Sequence, residues 1–472
     1  MSAIYISAAH KSSGKTTLSI GLVRAFLDRG VSIQPFKKGP DYIDPLWLSA
    51  AAGKPCYNLD FFTQSHQEIL ESYIRHLSGG AMALIEGNKG LFDGVDIEGS
   101  NSNAAMAAYL QTPVILVLNC QGMTRGIAPL LLGYQAFDRD IHIAGVILNQ
   151  VGGSRHESKL LQVVEHYTDI PVLGAIQANP SLQIDERHLG LIPSHEERGS
   201  EGIISRLAEV VRDNVDLDRI IDISKTSQLA DFTPLQTERY PEHTHKGLKI
   251  AIARDKAFGF YYPDDLDKFH ALGVEIVEFD TLHDQQLPEV DGIFLGGGFP
   301  ETAMEALQAN QAMQQSIATF IEAGGPVYAE CGGLIYLTRS LTWKGIKCRM
   351  SGVIPADTLM YDKPQGRGYV RLRETGKSRW PITEGYQIEM IHAHEFHYSS
   401  LVGLEATPDD FAYEVMRGFG IDGKNDGYVY KNLLASYTHM RSVGGNDWVE
   451  RFVALVASWK RRSSSNEQVS DV

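Results

Sequence analysis

Cysteine is scarce: 472 residues hold four, Cys56, Cys120, Cys331 and Cys348. None of them forms a C-x-x-C pair, which excludes the usual zinc ribbon and a disulfide framework and favours reduced thiols in a cytoplasm. Positive charge is also short. Lys plus Arg is 43 against 58 Asp plus Glu, a formal net charge of −15. A general nucleic-acid coat is excluded, because phosphate backbones need a basic surface, although a local basic site stays open. No apolar run nears the ~20 residues that span a bilayer. The longest, such as Pro113–Leu118 and Ala144–Leu148, suit buried strands. Residues 1–9 lack the basic start and cleavage site of a secretory signal. Neither nucleic acid nor membrane is an expected partner. What is present is 43% hydrophobic and 21% charged residues, an ordinary globular balance with length enough for two or three domains.

Short apolar runs recur, each followed by a helical pattern: Ala3–Ala8, Ser32–Phe36, Met82–Ile85, Val114–Leu118, Ile143–Leu148 and Val172–Ala175. Strands hydrophobic throughout and separated by helices predict a parallel sheet covered on both faces. The pattern lapses before residue 246 and resumes at Leu248–Ala253, Val274–Phe279, Gly292–Leu295, Val327–Ala329 and Leu434–Tyr437. The chain therefore reads as two α/β domains, 1–232 and 247–460, joined by a polar linker at 233–246. A Ser-rich tail, 461–472, is expected to be disordered.

The first strand runs into Ala9-His10-Lys11-Ser12-Ser13-Gly14-Lys15-Thr16-Thr17 and then a helical run. Strand, Gly-Lys-Thr-Thr loop and helix form a Walker A arrangement, whose backbone N–H groups surround phosphates. Lys15 would reach the β- and γ-phosphates of ATP, and the Thr16 hydroxyl would ligate Mg²⁺. The usual first glycine is replaced by Ala9. Asp41 and Asp44 follow the second strand, in the crevice where open parallel sheets bind ligands. Glu86 directly follows the strand Met82–Ile85, the Walker B position for Mg²⁺.

In the second half, strand Val327–Ala329 leads into Glu330-Cys331-Gly332-Gly333. A thiol at such a turn, facing a helix start, is placed as a nucleophile. The N–H after it, at Gly332, together with the turn Gly296-Gly297-Gly298, would bind an oxyanion. A thiol nucleophile needs a base, and His439, at the end of the last apolar strand, is the candidate among 16 histidines. His394 and His397 are expected on one face of an extended segment, as contacts for an acidic substrate or a metal.

Taken together, the ordered motifs resemble the cobyrinic acid a,c-diamide synthase family. They are Gly14–Thr17, Phe36–Pro45, Asn58–Asp60, Glu86–Gly94, Gly145–Asn149, Glu186–Leu191, Ala253–Asp255, Gly296–Glu301 and Glu330–Gly333. The resemblance implies a P-loop domain similar to dethiobiotin synthetase, followed by a triad-type (class I) glutamine amidotransferase domain. It further implies that Gly14, Lys15, Thr16 and Thr17 hold ATP, with Asn149 approaching the nucleotide base. Thr16, Asp41 and Glu86 would position Mg²⁺, while Tyr42, Ile43 and Asp93 would serve the tetrapyrrole and the choice of carboxylate. Cys331 and His439 would hydrolyse L-glutamine. The activity so implied is ATP- and glutamine-dependent amidation of acetate arms through an acyl phosphate, with ammonia sheltered on its way between two reactions.

Some positions depart from that family. Cobyrinate enzymes commonly read Glu-Gly-Val-Met-Gly-Leu-Tyr-Asp-Gly where this chain has Asn88-Lys89 and Phe92. Lys89 places a cation beside the expected carboxylate-binding region. Glu-Gly-Asn-Lys-Gly is more similar to the branch found with dissimilatory sulfite reductase genes, which implies sirohaem as an alternative substrate, and sirohydrochlorin is a third. His439 is followed by Met440-Arg441 and not by Pro and Glu, which leaves the third triad member unassigned. A competing expectation is a P-loop ATPase with an inactive amidotransferase-like binding module. Oligomeric state is left open, with a homodimer as one expectation.

Overall fold

The structure, a computed structural model, describes residues 1–470 apart from 78, 183, 185, 188, 189, 195, 198, 230–243, 383 and 384. The chain forms two compact units, Met1–Leu235 and Gln236–Val472. The expected linker lies, up to residue 243, outside the described residues, as do His188 and Leu189 of one quoted motif. Among the described residues no helix is long and apolar enough to cross a membrane.

The first unit is built on seven strands: β1 Ala3–Ala8, β2 Ile33–Lys38, β3 Tyr57–Leu59, β4 Met82–Glu86, β5 Val114–Asn119, β6 Ile143–Val151 and β7 Val172–Gln177. Their order is β3-β2-β4-β1-β5-β6-β7, and every pairing is parallel. Continuous apolar strands such as Ala3–Ala8 and Val114–Asn119 are buried along nearly their whole length, because helices cover both faces. One of these, α1 (Lys15–Asp28), approaches the helix Ser200–Asn214 closely. A Cβ on Gly21 would fall 2.7 Å from the Leu207 carbonyl oxygen, so that contact requires glycine. Two strands, β1 and β4, lie side by side in the middle of the sheet, and the reversal of strand order around them brings the Walker loop and Glu86 to one edge.

The second unit carries a nine-stranded sheet. Five parallel strands, Glu275–Phe279, Lys249–Ala253, Gly292–Leu295, Val327–Glu330 and Leu433–Ser436, run in that order. Four antiparallel ones continue it: Asn425–Tyr430, Phe411–Arg417, Gly366–Glu374 and Ile391–His397. The helix Trp448–Ser470 lays Trp448, Val449, Phe452, Val453 and Val456 on the core, the one-sided spacing of a covering helix. It extends into the segment expected to be a disordered tail, with Ser463 Oγ bonded back to the Trp459 carbonyl at 3.2 Å.

Candidate functional site

In the first unit the Walker loop is shaped by two residues with positive φ, Ser12 (63°) and Gly14 (83°). Ala9 is not among them, which explains why alanine is tolerated at the position of the usual first glycine. Asn149, at the end of β6, donates from Nδ2 to the Ser13 carbonyl at 2.9 Å. Its amide therefore braces the loop from beneath. Thr17 Oγ1 bonds the Gly14 carbonyl at 3.0 Å. The Lys15 ammonium donates to the Lys89 carbonyl at 2.8 Å. Burial, and next the charge of Lys37, push its pKa down, a penalty that a bound phosphate would relieve.

Beside the loop lies a buried charge cluster. Thr16 Oγ1 donates to Glu86 at 2.8 Å and to Asp44 at 3.3 Å. Lys37, on β2, donates to Asp44 at 2.5 Å and Glu86 at 2.8 Å, with Asp41 at 3.9 Å. Burial alone would strip Lys37 of its proton, but Asp44, Glu86 and Asp41 hold it well above the ordinary lysine value. Burial raises Glu86. Burial and the neighbouring Asp44 raise Asp41, while Lys37 pulls Asp44 down against burial. Asp41 Oδ1 also accepts from the Ile43 and Asp44 N–H groups, fixing the start of α2 (Ile43–Ala52). Besides Glu86, the carboxylate bonded to Thr16 is Asp44, while Asp41, expected to position Mg²⁺ with Glu86, lies 3.9 Å from the Lys37 ammonium. Tyr42 and Ile43 sit at this helix start and are nearly buried.

Among the described residues no three His, Cys, Asp or Glu side chains are arranged to hold an ion unaided. Mg²⁺ does not need such a cage, since it takes one or two carboxylates plus substrate phosphates. Glu86 Oε2 is buried with no hydrogen-bond partner, and the carboxylates of Asp41, Asp44 and Glu86 outnumber their paired cation. The site fits the ion through Thr16, Glu86 and Asp44.

The loop after β4 is pinned by Asn103, a residue the sequence did not single out. Its side chain takes the Asn88 N–H at 3.1 Å and donates to the Asn88 and Gly90 carbonyls, the latter at 2.7 Å. Asp93 Oδ2 accepts from Gly90 N at 2.9 Å and closes the turn. Lys89 is exposed with φ 34°, its carbonyl turned to Lys15.

In the second unit Cys331 sits between strand Val327–Glu330 and helix Gly332–Leu337 with φ 45° and ψ −97°. Such a conformation is strained for a residue with a Cβ, and strain of this kind collects at reacting groups. His439 hydrogen-bonds the Cys331 side chain, and its Nδ1 lies 3.4 Å from Glu330 Oε2. Burial opposes charge on His439, but the bonds to Cys331 and Glu330 outweigh it and raise the pKa to about 10. The imidazolium is the favoured state of His439. Around it are three glycines that admit no side chain. A Cβ on Gly297 would meet His439 Cε1 at 2.6 Å, one on Gly298 the Ala257 carbonyl oxygen at 2.0 Å, and one on Gly332 the Gly298 nitrogen at 2.9 Å. The sequence-selected Cys331, His439, Gly297, Gly298 and Gly332 therefore do converge.

His394 and His397 do not share a face. They lie three residues apart on one strand, an odd step, and pair with Tyr369 and Gly366 respectively. His394 stacks on His439 (ring centroids 5.0 Å, 19°) with Nδ1 3.2 Å from the Tyr262 hydroxyl. His397 is buried on the other side, stacked on Tyr437 at 3.8 Å with Nδ1 2.9 Å from the Ser399 carbonyl. Neither presents a surface to an acidic substrate.

Comparison with known proteins agrees with both halves. The model of the CobQ/CobB/MinD/ParA nucleotide binding domain matches residues 5–192. The model of the CobB/CobQ-like glutamine amidotransferase domain matches residues 249–446. A cobyrinate a,c-diamide synthase of Magnetococcus marinus is 43% identical, covering 98% of each chain. One from Archaeoglobus fulgidus is 38% identical, covering 95% of this chain and 96% of its own. One from Methanosarcina acetivorans is 38% identical, covering 93% and 92%. With a nucleotide-binding and an amidotransferase domain in this order, and relatives of this likeness along nearly the whole length, the chain belongs to the cobyrinate a,c-diamide synthase family and is an ATP-dependent glutamine amidotransferase ligase.

Proposed function

We propose that the chain converts acetate-arm carboxylates of cobyrinate into amides, with ATP as activator and L-glutamine as nitrogen donor. One observation carries the reading. A single chain holds a buried Cys331–His439 pair in one unit and a Walker loop with Glu86 bonded to Thr16 in the other. Neither half alone would need both.

A carboxylate resists attack by ammonia because its charge and resonance oppose the nucleophile. Transfer of the γ-phosphoryl group of ATP to one carboxylate oxygen gives an acyl phosphate, and ammonia then displaces inorganic phosphate to leave the amide. Lys15 would neutralise the moving phosphoryl group, and the Walker loop would hold the remaining phosphates. Mg²⁺, held by Thr16, Glu86 and Asp44, would supply charge neutralisation between the phosphates. Lys89, exposed beside this region, is proposed to receive a substrate carboxylate, with Tyr42, Ile43 and Asp93 shaping which arm enters.

In the other unit the Cys331 thiolate attacks the glutamine side-chain carbonyl. The oxyanion is taken up among Gly297, Gly298 and Gly332. Imidazolium His439 protonates the leaving nitrogen, ammonia departs, and water activated by neutral His439 cleaves the thioester to glutamate.

The reading is tested by mass spectrometry after incubation with ATP, glutamine and, separately, cobyrinic acid, sirohaem and sirohydrochlorin. Gain of amide groups on cobyrinic acid, dependent on both co-substrates, is expected. Amidation of sirohaem alone would move the substrate to the branch that Asn88-Lys89 resembles. Absence of glutamate release from glutamine would leave only the binding-module reading.

A further inference from the structure

Glutaminases of the triad type orient the histidine with a carboxylate, yet the residues after His439 are Met440 and Arg441. Arg441 is itself occupied, paired with Asp264 and lying over the Tyr262 ring at 5.0 Å. We propose that Glu330 is the positioning residue that replaces the missing acid, reaching His439 from the strand end directly ahead of the nucleophile.

Its geometry separates two tasks between two oxygens. Oε1 accepts from the Met440 N–H at 2.8 Å and from the Tyr328 hydroxyl at 2.5 Å. These bonds fix the carboxylate to the residue adjoining His439 and to its own strand, two residues back. Oε2 is left to face His439 Nδ1 at 3.4 Å. With Nδ1 so engaged, Nε2 is the ring nitrogen that remains for the Cys331 thiol. A carboxylate on Nδ1–H fixes the tautomer and supports the imidazolium, which is the work the acid performs in a catalytic triad. Glu330 is 1% exposed, so the interaction acts in a medium of low dielectric.

Three other buried acids of this unit are committed elsewhere, Asp265 among them to the Ser442 N–H at 2.7 Å. Asp426 accepts from the N–H groups of Gly427, Tyr437 and Thr438. Glu395 accepts from those of Phe419 and Gly420. The remaining ring against His439 is His394, which stacks face to face, is held neutral by burial and then by the charges of His439 and Arg441, and cannot accept the Nδ1 proton in that orientation. Cys331, Glu330 and His394 are thus titratable groups that act on His439, and of these Glu330 supplies the acid.

The proposal rests on Cys331 being the thiol that attacks glutamine, and its test separates the two. In the full-length chain, Glu330→Gln keeps the size and an acceptor oxygen but offers no negative charge to Nδ1. The expected result is a fall of ~10²-fold or more in kcat for glutamine hydrolysis with KM for glutamine changed less than ~3-fold. The alkaline limb of the kcat/KM profile moves to lower pH, because loss of the carboxylate lowers the pKa of the imidazolium. Glu330→Asp, which restores the charge, recovers part of both. A kcat within ~3-fold of wild type, or a loss of kcat with the alkaline limb unmoved and no recovery in Glu330→Asp, overturns the proposal. Should the variants fail to fold, ¹⁵N-histidine NMR of the wild-type chain decides it. A proton on His439 Nδ1 at neutral pH is expected, and a bare Nδ1 overturns it. A wild-type chain without glutaminase activity would remove the reading of Cys331 and leave the NMR result to judge Glu330.

Discussion

Gly14 and Asn149 are in contact across the Walker loop: a Cβ built on Gly14 would lie 2.2 Å from Asn149 Nδ2. Gly14 also has φ 83°, a conformation that costs a residue with a side chain about 1–2 kcal/mol. Gly14→Ala is expected to weaken nucleotide binding by ~10-fold or more, read by calorimetric titration with ATP. The double variant Gly14→Ala/Asn149→Ala removes the collision and should bind more tightly than Gly14→Ala alone. An unchanged dissociation constant in the single variant would show that the loop is not held by this contact.

Lys37 is a buried cation serving buried anions. Removing one partner of such a group leaves the others uncompensated, at a cost of about 3–5 kcal/mol. Lys37→Met is expected to lower the stability of the first unit by that order in urea unfolding, with added Mg²⁺ and ATP recovering part of it. A variant as stable as wild type would mean that the carboxylates simply take up protons instead.

Lys89→Met probes the exposed cation at the mouth of the same site while leaving the carbonyl that holds Lys15. Binding of a carboxylate-bearing tetrapyrrole should weaken by ~10-fold at low salt, with the difference shrinking as salt screens the charge. Equal affinity at low salt would remove Lys89 from the substrate contact.

The neutral His394 makes the second unit sensitive to acid. Burial, then the positive charges of His439 and Arg441, hold its pKa well below 6.5. Below pH 6.5 the unfolded chain binds a proton that the folded one refuses, so stability is fully present above 6.5 and is lost as pH falls, by up to about 1.4 kcal/mol per pH unit. His394→Phe keeps an aromatic ring on His439 and removes that titration. Urea unfolding at pH 7.5 and 5.5 should show a smaller acid loss in the variant, and an equal loss would place the sensitivity elsewhere.

Much of this was legible locally. The parallel strands announced themselves as unbroken apolar runs, and the Walker loop and the Cys331 turn are short segments whose meaning depends on their immediate flanks. The antiparallel half of the second sheet was missed because strands such as Gly366–Glu374 alternate polar and apolar residues and declare their partners only through distant pairing. Lys37 was read as part of a motif without a task, since its burial depends on Glu86 arriving from another strand. Asp44 stood beside Asp41 in the sequence, and only the resemblance, not the residues themselves, ranked Asp41 first for the ion. The His394/His397 pairing failed on parity alone. Glu330 lay in plain view next to Cys331, but only the fold brings residue 439 back to it.

Because an ammonium already sits among the acids beside Thr16, the front unit carries its own counter-ion. Its fold need not wait for a divalent metal, and purification in the presence of chelators should leave it intact, ready to exchange part of that internal neutralisation for an incoming one when nucleotide arrives.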